Sequence, residues 1–336
     1  MYDILTIGSA TRDVFLKTKE FKVVDSDEFK EGVGRAYRTG RAGCFMLGSK
    51  IPVYDAVFTS GGAGTNVAVT FARQDFKISS IIRVGNDSVG QEIVSELEKE
   101  GVDVLAQKDK DHNTDYSTIL VSPDGERTIL AHRGAGNYIN FDEIDLSSLE
   151  IKEGGWLYID SLGGNENLLA GLLGWAKKNK LSVAYNPGKK MLELGTGLQK
   201  YLDNIDIFSV NEDEAAFVAG IEYSQEKEDE IFDKLDSLVK GIVIMSKGPR
   251  GVEVSDNGVR YSAGIPDSLV IDRTGAGDAF SSGFVSGYIH SGGDIANAIQ
   301  LGTANASSVV EHFGAKEGIL KKGDWGNYDK IEVIRK

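Results

Sequence analysis

Cysteine is nearly absent from this chain: Cys44 is the single one in 336 residues, so no disulfide can form within it. Proline is scarce as well, at 5 residues against 41 glycines, a balance that excludes a proline-rich disordered chain and suits many tight backbone turns. No apolar run approaches the ~20 residues that a membrane-spanning helix requires. The start, Met1-Tyr-Asp-Ile-Leu-Thr-Ile-Gly8, lacks a basic region followed by an apolar core and a cleavage site, and a cytoplasmic location is expected. Positive charge is in deficit: 37 Lys and Arg stand against 51 Asp and Glu, for a net charge of -14. Such a chain repels a phosphate backbone, which argues against a nucleic-acid partner. His112, His132, His290 and His312 have no ligand spacing among themselves, which argues against a zinc site.

What is present is an alternation. Short apolar runs at residues 3–8, 79–84, 155–160, 181–186, 206–210 and 241–245 read as buried parallel strands. Helical periodicity occupies residues 65–73, 89–99, 165–178, 211–219, 229–239, 277–288 and 294–310. Strands alternating with helices predict an α/β fold, a doubly wound and mostly parallel sheet with helices on both faces. Ligands of such sheets bind beyond the carboxyl ends of the strands.

Two stretches break the pattern, residues 14–59 and 107–133. The first is polar and has no helical period; the second surrounds Ser122-Pro-Asp-Gly125, a hairpin-turn signal. They are expected to form a small β-sheet lid, with surface hairpins as the plainer alternative. The main domain then comprises residues 1–13, 60–106 and 134–336.

The strongest local signal is Asp272-Arg-Thr-Gly275-Ala276-Gly277-Asp278, read as a short strand from Val270 entering a glycine-rich turn that opens a helix. Glycines at 275 and 277 present consecutive N–H groups, and the helix adds its positive end, which together make an anion hole. A carboxylate at its rim, Asp278, can take the proton of an attacking hydroxyl. Asp is also a common helix cap, and spacing alone does not separate the two roles. Rival phosphate motifs fail: Gly85 to Gly90 has P-loop glycine spacing but is followed by Gln91-Glu92, and Gly62-Ala-Gly64 lacks a third glycine for a dinucleotide fingerprint.

The run from Asp272 to Asp278 closely resembles the second signature of the ribokinase-like (PfkB) carbohydrate kinases. Gly61-Gly62-Ala-Gly-Thr-Asn66 resembles the first signature, and Gly8-Ser-Ala-Thr-Arg-Asp13 the end of that family's first strand. Gly85-Asn-Asp87-Ser-Val-Gly90, Arg133-Gly-Ala-Gly-Asn137, Asn186-Pro187, Asn211-Glu-Asp-Glu214, Ser246-Lys-Gly248-Pro-Arg-Gly251 and Gly314-Ala315 follow in family order, nearly spanning the chain. The resemblance implies an ATP-dependent kinase that phosphorylates an alcohol group of a small sugar. Asp278 would be the base, with the anion hole at Gly275, Ala276 and Gly277.

It further implies substrate binding by Asp13, Gly61, Gly62 and Asn66. Read on their own residues, Asp13 could be a loop Asp, the glycines a helix entry and Asn66 a cap. Nucleotide binding falls to Asn211, Ser246, Gly248, Gly251 and Asn305, and Mg²⁺, through water, to Glu214; Asn211 with Glu214 fits a capping pair equally well. Lys247 and Arg250 are expected as solvated side chains. Asp272 and Thr274 are candidates for a monovalent cation such as K⁺. A nucleoside kinase of the adenosine type is the alternative, with Phe45, Tyr54 or Phe58 as stacking partners or as lid core. A catalytically inactive sugar-binding regulator is the remote one. Pairing of exposed lid edges would allow a homodimer.

Overall fold

The first strand is apolar on both sides because both faces of its sheet are covered. In β1 (Tyr2–Ile7), Leu5 and Ile7 pack into one core and Ile4 into another, all fully buried. A computed structural model describes residues 1–20, 22–30, 40–122 and 127–336. The strands that follow are β2 (Thr11–Lys17), β3 (Lys22–Asp25), β4 (Arg41–Cys44), β5 (Asp55–Gly61), β6 (Ile78–Gly85), β7 (Asp103–Asp109), β8 (Asp115–Val121) and β9 (Arg127–His132). Then come β10 (Ile151–Ile159), β11 (Ser182–Tyr185), β12 (Ile207–Asn211), β13 (Ile242–Ser246), β14 (Val252–Asp256), β15 (Val259–Ala263) and β16 (Val333–Arg335). The longer helices are α1 (Ala63–Arg73), α2 (Ser88–Lys99), α3 (Glu166–Lys178), α4 (Glu212–Ala219), α5 (Glu228–Leu238), α6 (Ala276–His290) and α7 (Ile295–Val310).

The larger of two units, Met1–Thr11, Ser60–Asp115 and Arg133–Lys336, holds a ten-stranded sheet in the order β16-β15-β14-β13-β12-β11-β10-β1-β6-β7. From β13 to β7 every neighbouring pair is parallel; β14, β15 and β16 close the other edge antiparallel. Leu168 and Leu172 of α3, Val218 of α4 and Ile231 of α5 fill one core. Val67 and Phe71 of α1, Ile93 of α2, Phe284 of α6 and Ile299 of α7 fill the opposite one. This is the doubly wound α/β arrangement expected from the alternation: the six apolar runs are strands and the seven periodic segments helices, with bounds shifted by a few residues.

Two sequence expectations need correction in this unit. Residues 107–109 belong to β7, whose register with β6 runs through Arg83↔Gln107 and Gly85↔Asp109, so they lie in the large sheet. No strand precedes the glycine turn: Ile271 and Asp272 both donate their N–H to Val310 O, at 2.7 and 3.0 Å, and Leu269, Val270 and Ile271 are exposed. β-branched residues there suggested a strand, but no neighbouring strand offers a ladder.

The smaller unit, Arg12–Thr59 and Tyr116–His132, holds a four-stranded sheet ordered β5-β2-β8-β9 and the antiparallel pair β3–β4. β8 and β9 pair antiparallel with Val121 opposite Arg127, as a hairpin signal predicts. Its turn at 123–126, like residues 21 and 31–39 of the other segment, lies outside the described residues. Lys17 Nζ donates to Asp55 Oδ2 at 2.9 Å and Thr18 Oγ1 to Pro52 O at 2.8 Å, joining β2 to the chain that enters β5. Tyr54 and Phe58 are exposed and take no part in a core of this unit.

Candidate active site

Because β10 to β13 run parallel with β1 and β6, their carboxyl ends share one edge of the sheet. Gly8, Asp160, Asn186, Asn211 and Ser246 all fall at or just beyond that edge, where ligands of doubly wound sheets bind. Against the same region stands the start of α6.

Gly275 caps α6 in the left-handed conformation, φ 75°, and a Cβ there would come within 2.4 Å of Ala315 Cβ, so both backbone and packing demand glycine. Gly277 is the opposite case. A Cβ on it would meet nothing within 4 Å and its φ is unexceptional, so the protein itself makes no demand for glycine. A ligand seated over the helix start would occupy that open space. Ala276 N–H makes a long 3.4 Å contact to Arg273 O, and the first-turn N–H groups after it have no partner within the helix. The turn therefore offers amides, a helix-end potential and an open approach, the elements of a phosphate cradle.

Asp272 secures this turn from below. Its Oδ1 accepts from Thr274 N and Oγ1 at 2.9 and 2.8 Å, and its Oδ2 accepts from Gly314 N at 3.0 Å. Ser281 anchors α6 to the sheet: its Oγ lies 2.7 Å from Ser209 Oγ of β12 and accepts from Asn186 Nδ2 at 3.3 Å. Asp278, in the first turn, accepts a 2.7 Å hydrogen bond from Asn66 Nδ2 of α1.

Helix α1 begins at Ala63, with Gly62 as its cap at φ 89°; a Cβ on Gly62 would meet Ser9 O at 2.6 Å. Thr65 Oγ1 donates to Gly61 O and Gly62 O, closing the turn. Gly61, Gly62, Asn66 and Asp278 are thus brought together; Asn66, expected with the two glycines to face substrate, also donates to the expected base. Asp13 is buried within β2 of the smaller unit, not in a loop beyond the first strand.

Asp160 was missed in the sequence. It follows β10 directly, is 3% exposed, and its Oδ2 has no hydrogen-bond partner while Oδ1 accepts from Ser161 N at 2.6 Å. The only signal available was a carboxylate ending an apolar strand. Burial first, then the Asp278 charge, push the Asp160 carboxyl well above the usual carboxylate range, and Glu214 adds to this. Burial likewise raises Asp278, opposed by the Asn66 hydrogen bond and by the Lys316 ammonium. Glu214 is raised by burial, with the charges of Asp278 and Asp213 contributing and its Asn211 hydrogen bonds opposing. Three carboxyls of one edge are therefore destabilised as anions, and Asn66 Oδ1 is a further buried acceptor without a donor. Hydroxyl donors and a cation are the groups that relieve such a site.

Asn211 and Glu214 form a reciprocal capping box at the start of α4, Asn211 Oδ1 accepting from Glu214 N and Glu214 Oε2 from Asn211 N. The capping reading is realised, and it leaves Glu214 at the carboxyl edge. Among the described residues no group of three or more His, Cys, Asp or Glu is arranged to hold a metal.

Ser246 ends β13 and pairs with Val252, with Gly248 and Gly251 in the intervening turn. Lys247 is largely buried rather than solvated, while Arg250 stays exposed as expected, and both are paired. Lys247 Nζ is 3.2 Å from both Glu228 and Glu253, and Arg250 Nη2 is 2.6 Å from both Glu212 and Glu228, so both charges are spent on protein carboxylates. Asn305 is 1% exposed; its Nδ2 donates to Ala279 O at 2.8 Å and its Oδ1 accepts from Leu320 N at 2.9 Å. The expected nucleotide contact is not made by that amide, which ties α6, α7 and the chain after α7 together.

Two other motifs are built into the scaffold. Asp87 caps α2 through Gly90 N and accepts from Thr114 N and Oγ1, while Asp115 Oδ1 accepts from Gly134 N and Gly136 N.

The chain matches the model of the pfkB family of carbohydrate kinases over residues 42–322. It is 31% identical over 269 residues to a ribokinase of Haemophilus influenzae, covering 77% of this chain and 83% of that protein. It is 26% identical to a cytidine kinase of Thermococcus kodakarensis, covering 76% and 88%. In three dimensions it resembles the Arabidopsis thaliana ribokinase complexed with ribose and ATP, with a TM-score of 0.73 over 96% of each chain at 20% identity. Family model, relatives and fold agree with the geometry of the edge: the chain belongs to the pfkB family of carbohydrate kinases, enzymes of phosphoryl transfer to sugars and nucleosides.

Proposed function

We propose that this chain transfers the γ-phosphoryl group of ATP to a hydroxyl of a small sugar, with Asp278 as general base. The observation that carries the reading is the placement of Asp278 at the open start of α6, held by Asn66, beside Gly277, where a Cβ would meet nothing within 4 Å. The attacking hydroxyl gives its proton to the Asp278 carboxylate as its oxygen bonds to phosphorus. The bond from phosphorus to the bridging oxygen breaks, and ADP departs with that electron pair. The turn at Gly275, Ala276 and Gly277, with the helix end, stabilises charge on the transferred group. Mg²⁺, when bound near Glu214, supplies neutralisation of phosphate charge.

Gly61, Gly62, Asn66 and Asp160 receive the substrate hydroxyls, the last two through acceptors that otherwise have no donor. For Asp13, in the smaller unit, the support is the resemblance of its segment. Asn211, Ser246, Gly248 and Gly251 are assigned to the nucleotide as backbone and helix-start contacts. The ribokinase relative favours a pentose, and ATP as donor accords with the ribose- and ATP-bound fold neighbour. The cytidine kinase relative makes a nucleoside the second reading. A coupled assay of ATP consumption over pentoses, hexoses, phosphosugars and nucleosides tests both. Turnover confined to nucleosides would replace the sugar reading, and tight binding without turnover across the panel would make the chain a sensor.

A further inference from the structure

Lys316 is a lysine in the wrong surroundings for an ordinary surface residue. It is 8% exposed, in the irregular chain that follows α7, and its Nζ donates to Ser60 O at 2.5 Å, Ser60 Oγ at 3.0 Å and Thr65 Oγ1 at 2.7 Å. Ser60 and Thr65 are themselves buried, and together they bracket the turn from Gly61 to Gly64 that starts α1. Three protons meet three oxygens, so the ammonium has a built seat.

The rest of its segment is fastened on both sides. Arg73 Nη1, at the far end of α1, donates to Lys316 O at 2.8 Å and Ile319 O at 3.0 Å. Gln74 Nε2 donates to Leu320 O at 2.9 Å. One residue before Lys316, Ala315 is the group against which Gly275 packs, and Gly314 N is held by Asp272. One residue after Thr65 stands Asn66, the donor to Asp278. Lys316 is consequently the covalent and hydrogen-bonded link between the loop that backs the anion hole and the turn that holds the base's partner.

We propose that Lys316 is a positioning residue for phosphoryl transfer: its ammonium locks the Gly61–Asn66 turn to the loop behind Gly275 and fixes a positive charge on Thr65, the neighbour of the Asn66 that holds Asp278. The inference rests on the reading of Asp278 as base. Asp278 is touched by Asn66 of α1, and the charges of Tyr158 and Asp160 from β10 and its end, Glu214 from α4 and Lys316 interact with its own. Tyr158 stays neutral because burial raises its phenol, and Asp160 and Glu214 disfavour a second anion. Of these, Lys316 supplies the positive charge, and it opposes the upward push that burial gives Asp278. Burying an ammonium is expensive unless its hydrogen bonds are met, which the Ser60 and Thr65 oxygens do.

Lys316→Met, Lys316→Arg and Thr65→Val, compared with wild type and with Asp278→Asn, test this at a temperature where near-ultraviolet circular dichroism shows each folded. Lys316→Met should lower kcat at least tenfold with KM for ATP within about twofold, and should move the acid limb of the kcat–pH profile to higher pH, with Lys316→Arg restoring the limb. Thr65→Val, which keeps the charge but removes one oxygen of its seat, should lower kcat with the limb unmoved. It carries the test alone if Lys316→Met does not fold. Wild-type kcat in Lys316→Met or in Thr65→Val, or a lower kcat in Lys316→Met with the acid limb unmoved, overturns the role of Lys316. Persistent turnover in Asp278→Asn instead overturns the assignment of the base, so the two failures are distinguishable.

Discussion

Asn66 Nδ2 lies 2.7 Å from Asp278 Oδ2, joining the first turns of two helices whose residues stand 212 apart in sequence. The contact makes each signature the other's support. An Asn that could have been a helix cap donates to the carboxylate, and a carboxylate that could have been a cap leaves α6 uncapped by any side chain. Asp278→Asn would keep the shape of this pair while removing the proton acceptor. The expected result is a folded protein that retains nucleotide binding, with kcat lower on the order of a hundredfold or more. Steady-state kinetics beside a nucleotide-binding titration check it, and unchanged turnover would sink the assignment.

The two glycines of the turn should respond differently. Gly275→Ala forces a side chain into left-handed backbone and against Ala315, so a drop in melting temperature is expected along with lost activity. Gly277→Ala enters open space in a helical first turn, where Ala is the better helix former by about 1 kcal/mol. Its melting temperature should hold or rise while KM for ATP rises or kcat falls. If Gly277→Ala were kinetically silent, the open space would not be the phosphate seat.

The buried carboxyls predict an unusual pH response without ligand. Asp160 has a folded pKa raised above its unfolded value, so its contribution to stability is fully present below the unfolded pKa and is lost as pH rises through the folded one. Asp160→Asn removes that loss. The melting temperature of the variant minus that of wild type should therefore increase as pH is raised from the ordinary carboxylate range toward the raised folded value. Saturating substrate, by giving hydroxyl donors to the carboxylate, should narrow the gap. Thermal scans across this range decide the matter; a gap independent of pH would mean that Asp160 titrates as an ordinary acid.

Asn305 offers a test of scaffold against ligand. Asn305→Leu would leave Ala279 O and Leu320 N without their buried partners, at a cost of about 1–3 kcal/mol for each group left unsatisfied. Denaturant unfolding should register that loss, with KM for ATP little changed in the folded fraction. A large KM effect at wild-type stability would restore Asn305 to the nucleotide site.

Much of the fold was legible in the sequence because a parallel sheet covered on both faces needs uninterrupted apolar strands, and the runs near Ile4, Ile81, Leu157 and Ile244 have that form. The helices followed from their period. Where a strand lacked such a run, as in β7 with its alternation of exposed and half-buried residues, its assignment drifted toward the small sheet. The apolar Val270 and Ile271 misled in the reverse direction, since propensity cannot tell whether a neighbouring strand exists to pair with.

By itself the sequence determined the α/β class, the order of the signatures and the identity of the glycine turn with its carboxylate, because each depends on local periodicity or on adjacent residues. Tertiary structure decided which polar groups meet. That Asn66 serves Asp278, that Asp160 is buried with an unsatisfied oxygen, that Lys247 and Arg250 are neutralised by Glu228 and its neighbours, and that Lys316 reaches back to Ser60 are all contacts between distant segments. Burial and long-range pairing set the charge states of these groups, and neither is written in the spacing of residues along one stretch of chain.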